Sequence, residues 1–439
     1  MKEENPSKSL ATSVVQTLRA QGFTALFAGG CVRDLILNRS PKDFDVATNA
    51  TPQQIAELFP KTYQVGAAFG VVIVVENDAQ IEVATFRSDG VYSDGRRPDE
   101  IVFTTPEADA KRRDFTINGL FLDPVSGEIV DYVGGKEDIK GGLVRAIGVA
   151  EHRFTEDKLR LMRCVRFASV LGFTIEEQTW KACRALAGTI GVISPERIRE
   201  ELTKILVGPN GGKGLELLYQ SGLLHHVLPE VLPLIGCEQQ PEFHPEGDVW
   251  THTKIMLDSL DKPSPELAWS VLFHDIAKPD TFSRDTDTGR IRNSGHEKVG
   301  AEKAEEIMRR LRFSNKMIES VSDCVLHHMQ FKDVKKMKTS TLKRMIVRET
   351  FGTEMELHRI DCMSSHRKLG NYEFMREKEK EFSVEEIRPV PLITGHDLMS
   401  AGWPPGPALG KVLEEIAELQ LDGQVKTREE ALAYAKSQL

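Results

Sequence analysis

No stretch of this chain approaches the roughly 18–20 consecutive apolar residues that a membrane-spanning helix requires. Its opening segment, MKEENPSKSL, lacks the apolar core of a signal peptide. Cysteine is scarce and scattered. Cys31, Cys164, Cys183, Cys237, Cys324 and Cys362 form no close pair, which argues against a disulfide frame or a cysteine zinc site and reads as reduced thiols. There is no internal repeat and no low-complexity tract. An excess of positive charge is also missing. At a formal net charge of −9 the protein does not coat nucleic acid through bulk charge, so any RNA binding must use local basic stripes. These absences predict a cytoplasmic protein with no membrane partner.

What is present is ordinary for a globular chain: 439 residues, 40% hydrophobic and 28% charged, too long for one core and suited to two to four domains. Two basic segments stand out. Arg153, Lys158, Arg160, Arg163 and Arg166 recur within one segment, and Lys332–Arg348 carries seven basic residues against one acid, Asp333. The first 145 or so residues alternate strand and helix patterns, predicting a sheet of four or five strands. After Gly148 nearly everything has helical spacing, including 155–171, 194–207, 250–260, 266–276, 297–312 and 354–369. Ser194-Pro195-Glu196 has the composition of a helix start: a capping hydroxyl, an N1 proline and an acid on the helix dipole.

Four constellations in the first half bear on chemistry. Gly29 and Gly30 separate a predicted strand from a helix that carries Arg33. Glycines there would let a triphosphate approach the backbone, although an ordinary strand–helix connection uses the same residues. In Asp43-Phe44-Asp45 the two acids sit at i and i+2, on one face of a strand. Paired carboxylates make a hard oxygen site suited to Mg²⁺ and to in-line displacement at phosphorus; a solvated strand edge is the plainer alternative. Glu82 on a nearby strand could add a third carboxylate or be a lone strand acid. Arg112, Arg113 and Asp114 fit a phosphate or ribose contact, with Asp114 orienting an arginine, or a surface salt bridge. Finally, Asp157 and Arg160 stand three apart, where one helix would make them neighbours. An acceptor beside a donor can match the edge of a base, while a simple i,i+3 ion pair, with Arg163 and Arg166 as solvated charges, explains the same spacing.

Taken together, GGCVRD, DFD, RRDFTING and EDKLRLMRCVRF, in this order over about residues 25–207, resemble the class II tRNA nucleotidyltransferase and bacterial poly(A) polymerase family. That resemblance implies an α+β, polymerase-β-like nucleotidyltransferase head with a mixed sheet at 1–147, followed by an all-α neck at 148–210, body at 211–385 and tail at 386–439. It implies that Asp43 and Asp45 hold catalytic Mg²⁺. Gly29, Gly30, Arg33 and Arg113 would contact the nucleotide, Asp157 and Arg160 would read its base with Glu156 bracing Arg160, and Arg163 and Arg166 would bind triphosphate or RNA. Val91–Pro98 corresponds to a loop thought to help reorient the site. Two departures are visible: Lys158 stands where the family often has Pro, and Gly119 where it often has Ala. The implied activity is template-independent addition of CCA to a tRNA 3′ end from CTP and ATP.

A second constellation lies in the helical half: His252, His274-Asp275, His296 and Asp361. Imidazole and carboxylate together suit a divalent metal that activates water, and buried, hydrogen-bonded polar residues are the alternative. The pattern resembles the HD phosphohydrolase superfamily. It implies a metal held by His252, His274, Asp275 and Asp361, with His296, His327 or His328 joining a second ion, a metal identity that the residues leave open, and phosphoesterase or phosphatase action on RNA 3′ ends. Two other readings stand beside CCA addition. One is an A-adding enzyme or poly(A) polymerase using ATP only, which the compact, mixed-charge ending GQVKTREEALAYAKSQL disfavours. The other is an HD phosphohydrolase with the head kept as an RNA-binding module, which the intact Asp43 and Asp45 disfavour. Lys332–Arg348 is a candidate surface for the tRNA elbow, or a solvated helix face. Nothing in the pattern points to a particular oligomeric state.

Overall fold

The computed structural model describes residues 5–66, 70–76, 79–90, 101–383, 387 and 389–438; the loop Val91–Pro98 lies outside them. Two compact units result, Met1–Leu232 and Pro233–Leu439.

The first unit begins with α1 (Pro6–Ala20), entered through the Asn5 cap and closed by Gly22 at φ 83°. Leu10, Ala11, Val14, Val15 and Leu18 form its buried stripe, packed against the sheet strands β1 (Ala25–Ala28), β2 (Asp45–Thr48) and β5 (Ala79–Thr85). Between these run α2 (Gly30–Ile36), α3 (Pro52–Leu58), β3 (Thr62–Gly66) and β4 (Val71–Glu76). Thr51 and Gln54 close a reciprocal capping box on α3. A short pair, β6 (Arg87–Asp89) and β7 (Ile101–Phe103), precedes α4 (Pro106–Arg112), and β8 (Leu120–Leu122) and β9 (Ile129–Asp131) complete the sheet.

Its order is β3-β4-β5-β2-β1-β8-β9. The β2–β5 pairing is parallel and the others are antiparallel. Seven strands exceed the four or five expected. β8 and β9 have three residues each, too few to display a period of two, and β3 (TYQVG) has little apolar alternation.

After α5 (Gly135–Gly141) and β10 (Leu143–Val144) the first unit is helical, save for β11 (Thr174–Ile175), which pairs with β10. The helix expected over 155–171 is two helices, α6 (Ala150–Glu156) and α7 (Leu159–Leu171). Asp157 leaves helical geometry at φ −133°, ψ 106°. Its carboxylate accepts the Leu159 amide at 3.0 Å, a local bond that competes with helix continuation. α8 (Glu177–Leu186) and α9 (Pro195–Leu206) follow. Ser194 occupies the cap position of α9, but its side chain makes no capping hydrogen bond. α10 (Gly211–Gln220) and α11 (Leu224–Val227) close the unit.

The second unit is built around α13 (Pro265–Phe273), buried at every position from Leu267 to Phe273 and flanked by α12 (Val249–Asp258), α15 (Asn315–His327) and α17 (Phe351–Ser364). A hairpin of β12 (Ser283–Arg284) and β13 (Ile291–Arg292) leads into α14 (His296–Arg310). Residues 393–435 carry a separate small core around Leu398, Trp403 and Ile416. The basic segment Lys332–Arg348 includes α16 (Thr339–Val347). Arg344 pairs with Glu418 at 2.6 Å, Arg348 with Glu354 at 2.6 Å and Lys336 with Asp333 at 3.2 Å, while Lys343 donates to the Leu421 carbonyl at 2.9 Å.

Candidate functional site

Sheet register builds the acidic half of the first unit's site. Val46 lies opposite Val83 in the parallel β2–β5 pair, which sets Asp45 beside Glu82, both exposed while Val46, Ile81 and Val83 are buried. Asp43 falls just before β2, exposed like Asp45, and Phe44 between them is buried. Asp45 is raised to about 6, first by loss of hydration, then by the charge of Glu82 and more weakly by Asp43, with Arg113 opposing. Crowded carboxylates with no cation among them raise each other's affinity for positive charge. These donors therefore fit a hard divalent ion.

Opposite the acids lies a cavity of about 520 Å³, large enough for a nucleotide. Gly29, Gly30, Arg33, Asp45, Arg113, Asp157, Arg160 and Arg163 all reach it. Gly29 has φ 72°, and a Cβ there would come within 2.9 Å of an Arg113 guanidinium nitrogen, so backbone freedom and close approach both require glycine. Arg33 is steered by Asp34 (2.8 Å) and by the Asn118 side-chain oxygen (2.7 Å).

Asp114 was expected to orient Arg112 or Arg113; it holds Arg163 instead, at 2.8 and 2.5 Å. Burial would raise the Asp114 carboxyl, but the Arg163 charge prevails and holds it at about 2. The arginine pair belongs to Asp109, nearly fully buried, which takes Arg112 at 2.7 Å and Arg113 at 2.9 Å. The Ala-to-Gly departure at Gly119 also has a cause: a Cβ there would meet Val133 at 2.7 Å.

The helix break moves Asp157 away from the i,i+3 ion pair with Arg160. Asp157 faces Arg197 of α9 at 3.2 Å, while Arg160 is held by Glu156 at 2.7 Å and donates to the Arg153 and Arg112 carbonyls. Both Asp157 and Arg160 still line the cavity, and Arg197 joins them. Arg166 is not among the lining residues; it forms an ion pair with Glu201 at 2.9 Å and stacks on Phe167.

In the second unit, His252, His274, Asp275, His296 and Asp361 converge, and His328 joins them while His327 faces Glu354 instead. Three potential ion groups overlap in sequence: His244–Glu246–His252, His252–His274–Asp275 and Asp275–His296–His328. The Nδ1 atoms of His274, His296 and His328 meet the carbonyls of Val271, Asn293 and Val325 at 2.6–2.8 Å. A carbonyl only accepts, so these nitrogens carry protons and Nε2 is the nitrogen each ring turns to the cluster. The Nε2 atoms of His296 and His328 lie 3.1 Å apart and 3.3 and 3.8 Å from Asp275, an arrangement that either a shared proton or a shared cation satisfies. The buried Nε2 of His274 lies 3.1 Å from Oδ2 of Asp275, which also forms an ion pair with Lys278 at 2.6 Å.

Burial disfavours charge on His252, yet Asp361 and Glu246 together lift it to about 9. Asp361 is held well below the usual carboxylate range, burial notwithstanding, by the hydrogen bond and charge of His252. His328 is pushed down to about 3 by burial and by the neighbouring His274. Beside the cluster a cavity of about 550 Å³ is lined by Lys278, Arg290, Arg292, Lys332, His244 and His296, among others.

Sequence reasoning missed Asp109, Arg197, Glu246 and His244. Asp109 could have been found from its i,i+3 and i,i+4 spacing to Arg112 and Arg113, whereas Arg197 reaches Asp157 across forty residues and Glu246 and His244 sit on a loop outside the motifs.

Residues 25–145 match the family described as the poly(A) polymerase head domain, 172–235 that of an RNA and SrmB-binding site of polymerase A, and 296–435 that of tRNA nucleotidyltransferase domain 2. A relative from Enterococcus faecalis, named a CCA-adding enzyme, is 32% identical over 98% of this chain and 95% of its own length. One of the same name from Geobacillus thermodenitrificans is 45% identical over 50% of this chain and 54% of its own. Among solved structures, the Bacillus stearothermophilus CCA-adding enzyme in complex with CTP superposes with TM-score 0.77 at 27% identity, covering 99% of this chain and 98% of that one.

Proposed function

The chain belongs to the family of CCA-adding enzymes, and from that premise we propose that it builds the CCA end of tRNA from CTP and ATP without a nucleic-acid template. The observation that carries this is one cavity in which Asp45 of the central strand β2, a set of arginines and the residues Asp157 and Arg160 meet.

In this reading Asp43 and Asp45, with Glu82 adjacent, would hold Mg²⁺ as the divalent metal, which would supply charge to activate the attacking hydroxyl and steady the departing pyrophosphate. The tRNA 3′-oxygen bonds to the α-phosphorus as the bond to the β-phosphate breaks. Arg33, Arg113 and Arg163, each pre-oriented by an acid, neutralise the triphosphate. Cytosine and adenine both present an exocyclic amino donor beside a ring-nitrogen acceptor, whereas guanine and uracil present the reverse. The Asp157 carboxylate accepts from the amino group, and Arg160, braced by Glu156, donates to the ring nitrogen. One fixed pair thus admits C and A and rejects G and U. Its place, given six free thiols and tRNA as substrate, is the cytoplasm. Purified protein should extend tRNA lacking CCA with CTP alone to CC, and tRNA ending in CC with ATP alone by one A. Extension of unrelated RNA by many A residues would instead mark a poly(A) polymerase.

The convergence of four histidines and two aspartates in the second unit favours a further site. His252, His274, Asp275 and Asp361 would hold one divalent ion, and His296 and His328 with Asp275 a second, and these ions would supply the charge that activates a water. The cations Lys278, Arg290, Arg292 and Lys332 make the adjoining cavity suited to a phosphate ester. The reading is an HD-type phosphohydrolase, tested by divalent-dependent release of p-nitrophenol from its phosphate monoester and diester.

A further inference from the structure

His252, His274, His296 and His328, the imidazoles of the second unit's cluster, are not oriented alike. The last three donate Nδ1–H to the main-chain carbonyl three residues earlier. His252 does not. Its Nδ1 faces a carboxylate oxygen of Glu246 at 2.6 Å, while its Nε2 faces Asp361 at 3.2 Å. Glu246 comes from the loop preceding α12, where the same oxygen lies 2.9 Å from Nδ1 of His244.

An imidazole bridges two ions only as the imidazolate, so His252 can give one nitrogen to a metal and must keep a proton on the other. Nε2 is the nitrogen turned toward Asp361, a member of the ion set; Nδ1 is therefore the protonated one. We propose that Glu246 is a positioning residue that locks His252 for metal binding through Nε2, and so governs the affinity of one ion of the pair without governing the other. The inference rests on the ion reading of the second unit. A carboxylate behind a ligating histidine fixes its tautomer and rotation and makes the ligand nitrogen more basic, an effect carbonyl partners supply more weakly. Because His296 and His328 have their own carbonyl partners, the second ion position is insulated from Glu246.

The test is calorimetric titration of the full chain with Mn²⁺, in an Asp43→Ala background that disables the first unit's ion site. The parent should bind two ions. Glu246→Ala should weaken one of them by about 10–100-fold and leave the other unchanged. Glu246→Gln, which keeps an acceptor oxygen but not the charge, should recover part of the loss. Equal affinity in parent and Glu246→Ala overturns the proposal, as does equal weakening of both ions, which would mark a merely structural residue. Complete loss of one ion in both variants overturns it too, since Glu246 would then be a ligand itself. If the parent binds no ion and His252→Ala changes nothing, the ion reading beneath the proposal fails. CTP and ATP addition by the same variants with Asp43 intact should match the native protein, confirming that they fold.

Discussion

The candidate ion sites of the two units are built in opposite ways. In the first, the carboxylates stand on an exposed face of two central strands beside arginines, and every donor is a hard oxygen. In the second, imidazoles outnumber carboxylates and almost all the donors are buried. Open oxygen sites suit Mg²⁺, which keeps several of its waters and shares its coordination with substrate phosphates. Buried imidazole sites suit transition ions and water activation. The orienting partners differ too. Arginines of the first site are aimed by acids, Asp34, Asp109 and Asp114, whereas histidines of the second are aimed mostly by carbonyls. In the proposed reading, charge there meets a charged substrate and tautomers here meet a metal.

If the two sites are as separate as this contrast implies, single substitutions should dissociate the activities, and that is the largest effect expected. Asp43→Ala should cut nucleotide addition to tRNA by roughly 10²–10³-fold or more, the scale of losing one preorganised charge-stabilising group, and leave p-nitrophenyl phosphate hydrolysis intact. His274→Ala should do the reverse. Loss of both activities in either variant would break the comparison.

Next in size is the choice of base. Asp157→Ala should relax discrimination against UTP and GTP by roughly tenfold or more, about 1–3 kcal/mol for a paired hydrogen-bond contact, while the KM for correct nucleotides changes less. Single-nucleotide extension with each of the four triphosphates measures it. Unchanged preference would assign base choice elsewhere, with Arg197 the first candidate because it already holds Asp157.

The smallest effect concerns stability. Asp114 is buried and its folded-state carboxyl is held at about 2, below its ordinary value. A lowered carboxyl contributes stability that is complete above the ordinary range near pH 4 and is lost as pH falls toward about 2. Asp114→Asn should therefore lower stability near neutral pH by about 2 kcal/mol, in the range for hydrogen bonds to charged groups. The gap should narrow below pH 4. Urea midpoints at pH 7, 4 and 2.5 would show it.

Local rules accounted for the parts of this protein whose physics is local. The i, i+2 spacing of Asp43 and Asp45 agrees with both being exposed about the buried Phe44, although Asp43 lies before β2, and apolar periodicity placed α9, α12, α13, α14 and α17 to within a few residues. His274 and Asp275 could be picked out as adjacent residues at a helix end. The break at Asp157 was not visible, because it depends on one side-chain bond competing with a backbone bond of similar strength. The partner of the arginine pair was overlooked although local: Asp109, not Asp114, takes Arg112 and Arg113 at i,i+3 and i,i+4. Other partners are not local: Arg197 reaches Asp157 from forty residues away, and only packing of loop and helices brings Glu246 to His252 and decides that His328, not His327, meets His296. Which donors share an ion, which nitrogen of a histidine keeps its proton, and how far Asp45 is raised depend on distances across elements. Chain spacing carries no information about those distances; packing of the core sets them.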